Sequence, residues 1–252
     1  MSTQQLIYES AVPVSSGRHA GCFVEVGNDY AFARHVNSLP LMAVEFPPAS
    51  TDYSIIFAGN DESVMPAVIL GLRAKENLFV ADGHSWSAKY VPAFARRYPF
   101  VFSGSDDSDT FTLCIDEAFQ GFNRDSRGAA LFDAEGKPTE YVQNVLKFLQ
   151  EYQAQFQRTR QFCQKLKEHN LLDPMQAQIT TKSGEKLSLS GFLTVNRDRL
   201  KALPDAVLAE LAKTDELELI YLHLHSMRNF GALLDRMEVV SSPAEAAVAS
   251  TS

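Results

Sequence analysis

The chain has 252 residues, 45% of them hydrophobic, and its 31 acidic residues against 23 basic ones give a net charge of −8. A chain of this size and composition can bury a large core, which excludes disorder of the whole, and its acidic balance disfavours binding to nucleic acid or to anionic lipid. No run approaches the roughly 18 to 20 apolar residues that a membrane-spanning helix needs, so membrane insertion is not predicted.

The start of the chain and its cysteines predict a cytoplasmic protein. Residues 1–14 lack the basic and apolar regions of a standard secretory signal. The three cysteines, Cys22, Cys114 and Cys163, are widely spaced, form no CxxC pair and lie beside apolar residues. We therefore expect reduced, buried thiols rather than disulfides, zinc ligands or a catalytic nucleophile. Association with the cell surface would need a route without a standard signal peptide.

Short strands are predicted for the first part of the chain. Apolar runs bounded by turn residues favour four candidates, at residues 23–26, 41–46, 53–57 and 64–72. The last run is almost entirely apolar and contains Val and Ile, which predicts a central strand buried on both faces.

The stretch at residues 77–102 holds the only tryptophan and the densest mixture of aromatic and basic side chains. A turn is predicted at its Asp-Gly pair, residues 82–83, and a helix from Val91 with Pro92 in its first turn. Pro99 drives the residue before it towards an extended conformation, so the helix should end there and a strand should follow.

Two features follow this stretch. A polar turn at residues 104–109 should join strands at residues 100–102 and 110–115 into a hairpin. Its three aspartates are a candidate cation site, but the run lacks the order of an EF-hand loop, so a solvated turn is the preferred interpretation. The connection at residues 116–137 is long and polar, so it should be either functional or wrapped over the core, and it is a candidate lid.

The second half of the chain has helical periodicity. Apolar residues recur every three or four positions over residues 139–170, which predicts a helix of about 45 Å that either bridges the two halves or breaks near Arg158 and Thr159. Asn170 is the expected C-terminal residue.

A hairpin and shorter helices are predicted for the remainder. A two-residue turn at Ser183 and Gly184 should close a hairpin over residues 179–192. Asn196 should cap a helical turn that ends at Leu200, and further helices are expected over residues 205–213 and 215–237. The small, polar residues 239–252 should form a disordered tail.

These elements together predict an α+β fold. A β-rich part at residues 1–130 should pack with a helix-rich part at residues 131–238 that contains the β-hairpin, and the two parts should form one domain.

The central stretch supplies the candidate ligand-binding residues, because aromatic rings stack on a flat ligand while charged groups fix its orientation. They are Asp82, His84, Trp86, Tyr90, Arg96 and Arg97. Two alternatives remain open for them. His84 is either an exposed or hydrogen-bonded loop histidine or, oriented by Asp82, a general base, which would indicate catalysis. The arginines can form internal salt bridges instead of binding an anion.

No metal or cofactor site is predicted. His223 and His225 would share a side on a strand, but the surrounding helical period places them about 200° apart, where they cannot chelate one ion. Ser226 beside them has no third partner for a triad. The common phosphate, dinucleotide, metalloprotease and hydrolase motifs are absent from the sequence.

Several segments, in their order along the chain, resemble the SapC family of bacterial proteins, and the resemblance extends to about Arg236. The segments are VEFPPASTDYSIIF, AVILGL, NLF, YVPAFARRYPFVF, GAALFDAEGKPT, NLL, GFLTVN and LIYLHLHSMRN. The family is named for a protein associated with a bacterial surface layer. A membrane permease of a peptide transporter shares the name, but this chain lacks the apolar spans of a permease.

The resemblance implies a non-enzymatic binding or assembly protein linked to the surface layer or envelope, and it brings no catalytic residues. Its partner would be a protein, a second copy of the chain, a small molecule or a glycan. The alternative is an enzyme or enzyme accessory with a pocket around His84, Trp86 and Arg97.

Overall fold

The computed structural model describes residues 6–60, 63–80, 84–104, 111–180 and 184–241. The predicted α+β class is confirmed, with strands mostly in the first half and helices mostly in the second. The strands are β1 (Ala11–Pro13), β2 (Phe23–Val24), β3 (Ser38–Pro40), β4 (Ser54–Gly59), β5 (Val64–Ile69), β6 (Phe100–Ser103), β7 (Thr112–Asp116), β8 (Phe122–Asn123), β9 (Ala129–Ala130), β10 (Leu172–Thr180) and β11 (Lys186–Val195). The helices are α1 (Ser16–His19), α2 (Phe46–Ala49), α3 (Ala93–Arg96), α4 (Glu140–Glu168), α5 (Arg197–Lys201), α6 (Asp205–Lys213), α7 (Glu216–Ser226) and α8 (Asn229–Ser241). None of the described helices is long and apolar enough to cross a membrane.

The largest sheet has five strands in the order β10-β11-β4-β5-β3, with antiparallel neighbours throughout. The prediction of an interior strand after residue 64 is confirmed, since β5 lies between β4 and β3 and most of it is buried. Helices α4 and α7 cover this sheet, and the rings of Phe46, Phe57 and Phe162 meet there with centroids 6.2 to 6.5 Å apart. The sheet therefore lines the larger of two hydrophobic clusters.

The predicted strand at residues 41–46 is wrong. The strand in this region is β3, and residues 43–45 form a 3-10 turn that leads into α2. Two adjacent prolines occupy the first turn of α2, where their missing N–H groups carry no penalty. Glu45 stabilises the turn because its carboxylate accepts a 2.8 Å hydrogen bond from the backbone N–H of Met42.

The connection at residues 116–137 contains two short strands that belong to the fold. Its strands β8 and β9 flank β2 in a small sheet, where Phe23 lies opposite both Asn123 and Ala130. Gly128 permits this close approach, with φ +81° and the carbonyl oxygen of Val24 only 2.3 Å from where a Cβ would lie. A third sheet, β1-β7-β6, contains the predicted hairpin of β6 and β7. A smaller hydrophobic cluster lies beside these two sheets.

Helix α4 is continuous over 29 residues and connects the two clusters. Val142 and Leu149 are buried in the smaller cluster, whereas Phe162 and Leu166 are buried in the larger one. Thr139 caps its first turn, and Asn170 follows its end with φ +51°, the left-handed conformation that ends many helices. Of the two outcomes left open by the sequence, α4 bridges the two halves of the chain.

Thr159 ties α4 to the turn before α2. Its hydroxyl is buried, accepts a 2.9 Å hydrogen bond from the N–H of Ala43 and donates to the carbonyl of Gln155. We expect Thr159→Val to lower the free energy of unfolding by about 1 to 3 kcal/mol, because the N–H of Ala43 loses its buried acceptor. Thr159→Ser retains the hydroxyl and serves as the control. Equal urea midpoints for the two variants would contradict this role.

The C-terminal elements agree with the sequence except at residues 227–228. The predicted hairpin is confirmed, with β10 paired to β11 up to Thr180 and Lys186. Its predicted turn at Ser183 and Gly184 lies partly outside the described residues. Helix α5 with its cap at Asn196 and helix α6 are confirmed. The predicted helix at residues 215–237 is instead two helices, α7 and α8, separated at residues 227–228.

Two polar segments are only partly described. Most of the predicted turn at residues 104–109, with its aspartates, lies outside the described residues, as do residues 242–252 of the predicted tail. Residues 239–241 belong to α8, so the helix runs further than predicted.

Candidate functional site

Trp86 is a half-buried anchor of the central stretch. It pairs with Val80 in an isolated antiparallel bridge, and its indole N–H donates a 2.6 Å hydrogen bond to the hydroxyl of Tyr53. That hydroxyl donates in turn to the carbonyl of Tyr90. Burial raises the pKa of Tyr53, which keeps the hydroxyl neutral and able to donate. The polar edge of Trp86 is therefore engaged inside the protein, and its ring packs edge-on against Tyr30 at 5.4 Å.

His84 lies at the rim of this region with φ +60° and a side chain that is 40% exposed. Its Nδ1 is 3.3 Å from the carboxylate of Asp29, and its carbonyl accepts a 2.8 Å hydrogen bond from the N–H of Tyr30. The predicted partner Asp82 lies outside the described residues. The imidazole thus has a carboxylate neighbour 55 positions earlier in the chain.

Arg97 is an interior residue, only 5% exposed. Its guanidinium lies 4.1 Å from the ring centroid of Phe94, 4.9 Å from that of Tyr152 and 5.6 Å from that of Tyr8. Such cation–π contacts stabilise a buried charge without exposing it to a ligand. The adjacent Arg96 is exposed, so its guanidinium remains accessible to a ligand.

Arg96, Tyr90 and Glu45 form a chain of hydrogen bonds. Arg96 donates to the Tyr90 hydroxyl at 3.2 Å, and that hydroxyl donates to the Glu45 carboxylate at 2.8 Å. The same carboxylate accepts a 2.7 Å bond from the N–H of Ala93. Burial raises the pKa of Glu45, and the hydrogen bonds from Ala93, Met42 and Tyr90 act against that shift. Burial and the neighbouring Glu45 raise the pKa of Tyr90 to about 12, so its proton stays in place near neutral pH.

These three side chains line a cleft of about 270 Å³ between the central stretch and α4. The rest of the lining is mostly apolar and includes Val44, which is 58% exposed, and Phe148, whose ring lies 5.5 Å from the Arg96 guanidinium. Glu151 adds a second carboxylate. A small apolar cleft with a few converging polar groups is the usual form of a ligand site.

A wider cleft of about 600 Å³ lies on the other side of Arg96. Its aromatic lining includes Phe32 and Tyr98, whose rings stack with centroids 4.1 Å apart, and Phe119, which meets Tyr98 edge-on at 5.3 Å. Asp29 also lines this cleft. Arg96 borders both clefts and is the residue that they share.

The structure brings some of the predicted site residues together and separates others. Tyr90 and Arg96 line a cleft, His84 and Trp86 contact residues that line the wider one, and Arg97 is buried among aromatic rings. The sequence did not indicate Glu45. A single carboxylate within the apolar run at residues 41–46 was the available signal, because a carboxylate is rarely buried without partners.

The titratable side chains bear on the metal and catalytic alternatives. Throughout the described ranges, no group of three or more His, Cys, Asp or Glu side chains could hold a metal ion. His223 and His225 lie on a helix, as the sequence predicted, and His223 is buried with both ring nitrogens engaged by the backbone of β4 and β11. Arg96, Tyr90 and Glu45 are arranged to orient a polar group.

Comparison with known proteins identifies the family of the chain. No curated protein and no solved structure matches the chain. The family model SapC matches residues 14–233, which span nearly the whole chain and include Glu45, Tyr90 and Arg96. The chain therefore belongs to the SapC family.

Proposed function

We propose that the chain is a non-enzymatic binding protein whose ligand site is the small cleft at Glu45, Tyr90 and Arg96. The observation that carries the proposal is the chain of hydrogen bonds from Arg96 through Tyr90 to the buried Glu45 at an otherwise apolar cleft. Two hydrogen bonds fix the guanidinium of Arg96: its Nε donates to the carbonyl of Val91, and its Nη2 donates to the hydroxyl of Tyr90. A preoriented guanidinium loses little side-chain freedom when it binds.

The cleft suits a small ligand that carries both polar and apolar groups. Arg96 attracts a carboxylate, phosphate or hydroxyl group, and Glu151 attracts an amine or hydroxyl group. Val44 and Phe148 offer an apolar surface for a sugar face or a hydrocarbon side chain. The ligand would be a free small molecule, a glycan unit, or a side chain of a partner protein or second copy. Membership of the SapC family supports an assembly role at the surface layer or envelope.

A cytoplasmic location is a separate proposal, and a role at the cell surface would then need export by a route without a standard signal peptide. Cys22, Cys114 and Cys163 are free and buried, which fits a reducing compartment. Fractionation of cells followed by thiol labelling under denaturing conditions tests the location. A chain found outside the cytoplasm would contradict it.

Arg96→Ala should weaken ligand binding by about tenfold or more, because a hydrogen bond to a charged group contributes roughly 1.5 to 3 kcal/mol. Ligand-detected NMR with a panel of monosaccharides, amino acids and short peptides gives the measurement. Arg158→Ala removes another exposed arginine, from the middle of α4, and is the control. Ligands that bind both variants equally would exclude this cleft as the site.

The second candidate function is an enzyme or enzyme accessory. The 3.3 Å approach of His84 to Asp29 at the edge of the wider cleft favours it, because a carboxylate can orient an imidazole as a general base. The same NMR samples distinguish the two functions. A panel compound that is converted to product during the measurement supports the enzyme, whereas reversible binding without conversion supports the binding protein.

A further inference from the structure

A separate cluster of charged side chains lies on the outer face of α7. Glu218, Tyr221, His225 and Arg228 follow one another at three or four residues, so they share one side of the helix and the turn that follows it. Arg197, the first residue of α5, lies beside them. Together they line a groove of about 660 Å³ that contains none of the residues of the two clefts described above.

The arginines of this groove have no internal partner. Within the part of the chain that the structure describes, four arginine side chains have neither a hydrogen bond nor an ion pair nor a ring contact: Arg158, Arg160, Arg197 and Arg228. Two of the four line this one groove. Glu218 lines it too but forms no ion pair with either arginine. In a chain whose acidic residues outnumber its basic ones by 31 to 23, this leaves a local excess of positive charge.

The helix dipole explains only part of this cluster. His225 and Arg228 lie at the C-terminal end of α7, where a positive charge is favourable. Arg197 lies at the start of α5, where the dipole disfavours a positive charge. The helix dipole therefore does not explain why Arg197 lies at the same groove as Arg228.

The other side chains of the groove indicate what the charge would attract. Tyr221 is 43% exposed, and Leu222 and Leu224 are partly exposed beside it. A guanidinium presents its N–H groups in a planar fork that matches a carboxylate or phosphate. The groove is larger than one such group, and its apolar part would remain in contact with water if a bare ion were bound.

We propose that this groove binds an organic anion, a carboxylate or phosphate carried on an aromatic or aliphatic body. Arg197 and Arg228 hold the anionic group, His225 adds positive charge when it is protonated, and the ring of Tyr221 with Leu222 covers the apolar body. The site is independent of the small cleft, so the two proposals can fail separately.

The test is a titration of the full chain with phenyl phosphate and with benzoate at constant ionic strength, followed by two-dimensional amide NMR. We expect saturable shifts at residues 197 and 218–228 with at least one of the two probes. Arg197→Ala and Arg228→Ala should each weaken binding by about tenfold or more, whereas Arg158→Ala should leave it unchanged. All three arginines are exposed, so the variants should keep the wild-type thermal midpoint.

Inorganic phosphate and phenol complete the design. Both should bind more weakly than the organic anions, because each supplies only one of the two interactions. Binding of inorganic phosphate as tight as that of phenyl phosphate would overturn the apolar part of the site. Equal binding of phenol, an equal effect of Arg158→Ala, or no saturable shift with either organic anion would overturn the site itself.

Discussion

We expect the variant His223→Leu to lose roughly 2 to 6 kcal/mol of stability, because two buried backbone groups lose their partners at about 1 to 3 kcal/mol each. The imidazole connects three elements of the larger cluster. Its Nε2 accepts a 3.0 Å hydrogen bond from the N–H of Val195, and its Nδ1–H donates to the carbonyl of Ile55 at 2.8 Å. Leucine keeps most of the volume next to Phe57, so the loss comes from the hydrogen bonds. Urea unfolding measures it.

His225→Gln is the matched control, two residues further along the same helix and exposed. Its free energy of unfolding should stay within about 0.5 kcal/mol of the wild type, as is usual for an exposed position. A His223→Leu variant as stable as this control would contradict the role given to His223.

The stability contributed by His223 should also depend on pH. Burial lowers the pKa of His223 from 6.5 to about 4 in the folded chain, so the fold keeps the neutral ring while the unfolded chain takes up a proton near pH 6.5. The contribution is therefore complete above pH 6.5 and is lost as the pH falls towards 4, by about 3 kcal/mol in all. The stability gap between wild type and His223→Leu should narrow by that amount between pH 7 and pH 4. A gap independent of pH would contradict the assignment.

Asp116→Ala should destabilise the chain by roughly 3 to 5 kcal/mol, since a buried carboxylate that accepts several backbone hydrogen bonds is removed. Asp116 is fully buried at the end of β7. Its two oxygens accept from the N–H groups of Glu9, Ser10 and Ala118 at 2.8 to 3.1 Å. Without them, the segment that leads into β1 loses its attachment to β7.

Two further variants make the Asp116 measurement specific. Asp116→Asn keeps one acceptor oxygen and should lose less stability than Asp116→Ala. Asp235→Ala removes an exposed carboxylate from α8 and should change the urea midpoint little. If Asp116→Ala matched Asp235→Ala, the attachment of the first strand would depend on its ladder hydrogen bonds alone.

The sequence predicted the elements that neighbouring residues determine. Asn196 caps α5 because its side chain accepts hydrogen bonds from Asp198 and Arg199, which are two and three positions away. Proline before α6 and the strand after Pro99 are equally local signals. Elements of this kind can be predicted without knowing the tertiary fold.

The sequence did not predict features that depend on distant partners. The helical period continues through residues 227–228, yet the helix breaks there. The hydroxyl of Ser226 accepts a hydrogen bond from the N–H of Ile55, and Asn229 donates to the carbonyls of Ser50 and Tyr53. These partners lie 171 to 179 positions earlier. These contacts hold the turn against the main sheet.

The candidate site also contains residues that the sequence indicated and distant partners that it did not. Tyr90 and Arg96 stand out in the sequence because aromatic and basic residues crowd one stretch. Their partner Glu45 lies 45 positions before Tyr90, and Asp29 lies 55 positions before His84. Burial of Arg97 depends on Tyr8 and Tyr152, which come from opposite parts of the chain. Sequence composition can identify the residues of one segment that line a site, but only the tertiary fold identifies their partners from other segments.

The strand order of the largest sheet determines which strand edges stay unpaired while the chain is being synthesised. Strand β4 pairs with β5 soon after both are made, but its other edge pairs only with β11, where Leu193 lies opposite Phe57. At ~5 to 20 residues per second, a ribosome needs on the order of ten seconds to make the intervening residues. For that time the nascent chain presents an apolar strand with an open edge, which is able to pair with other chains. We therefore expect a shortage of chaperones to lower the yield of folded chain.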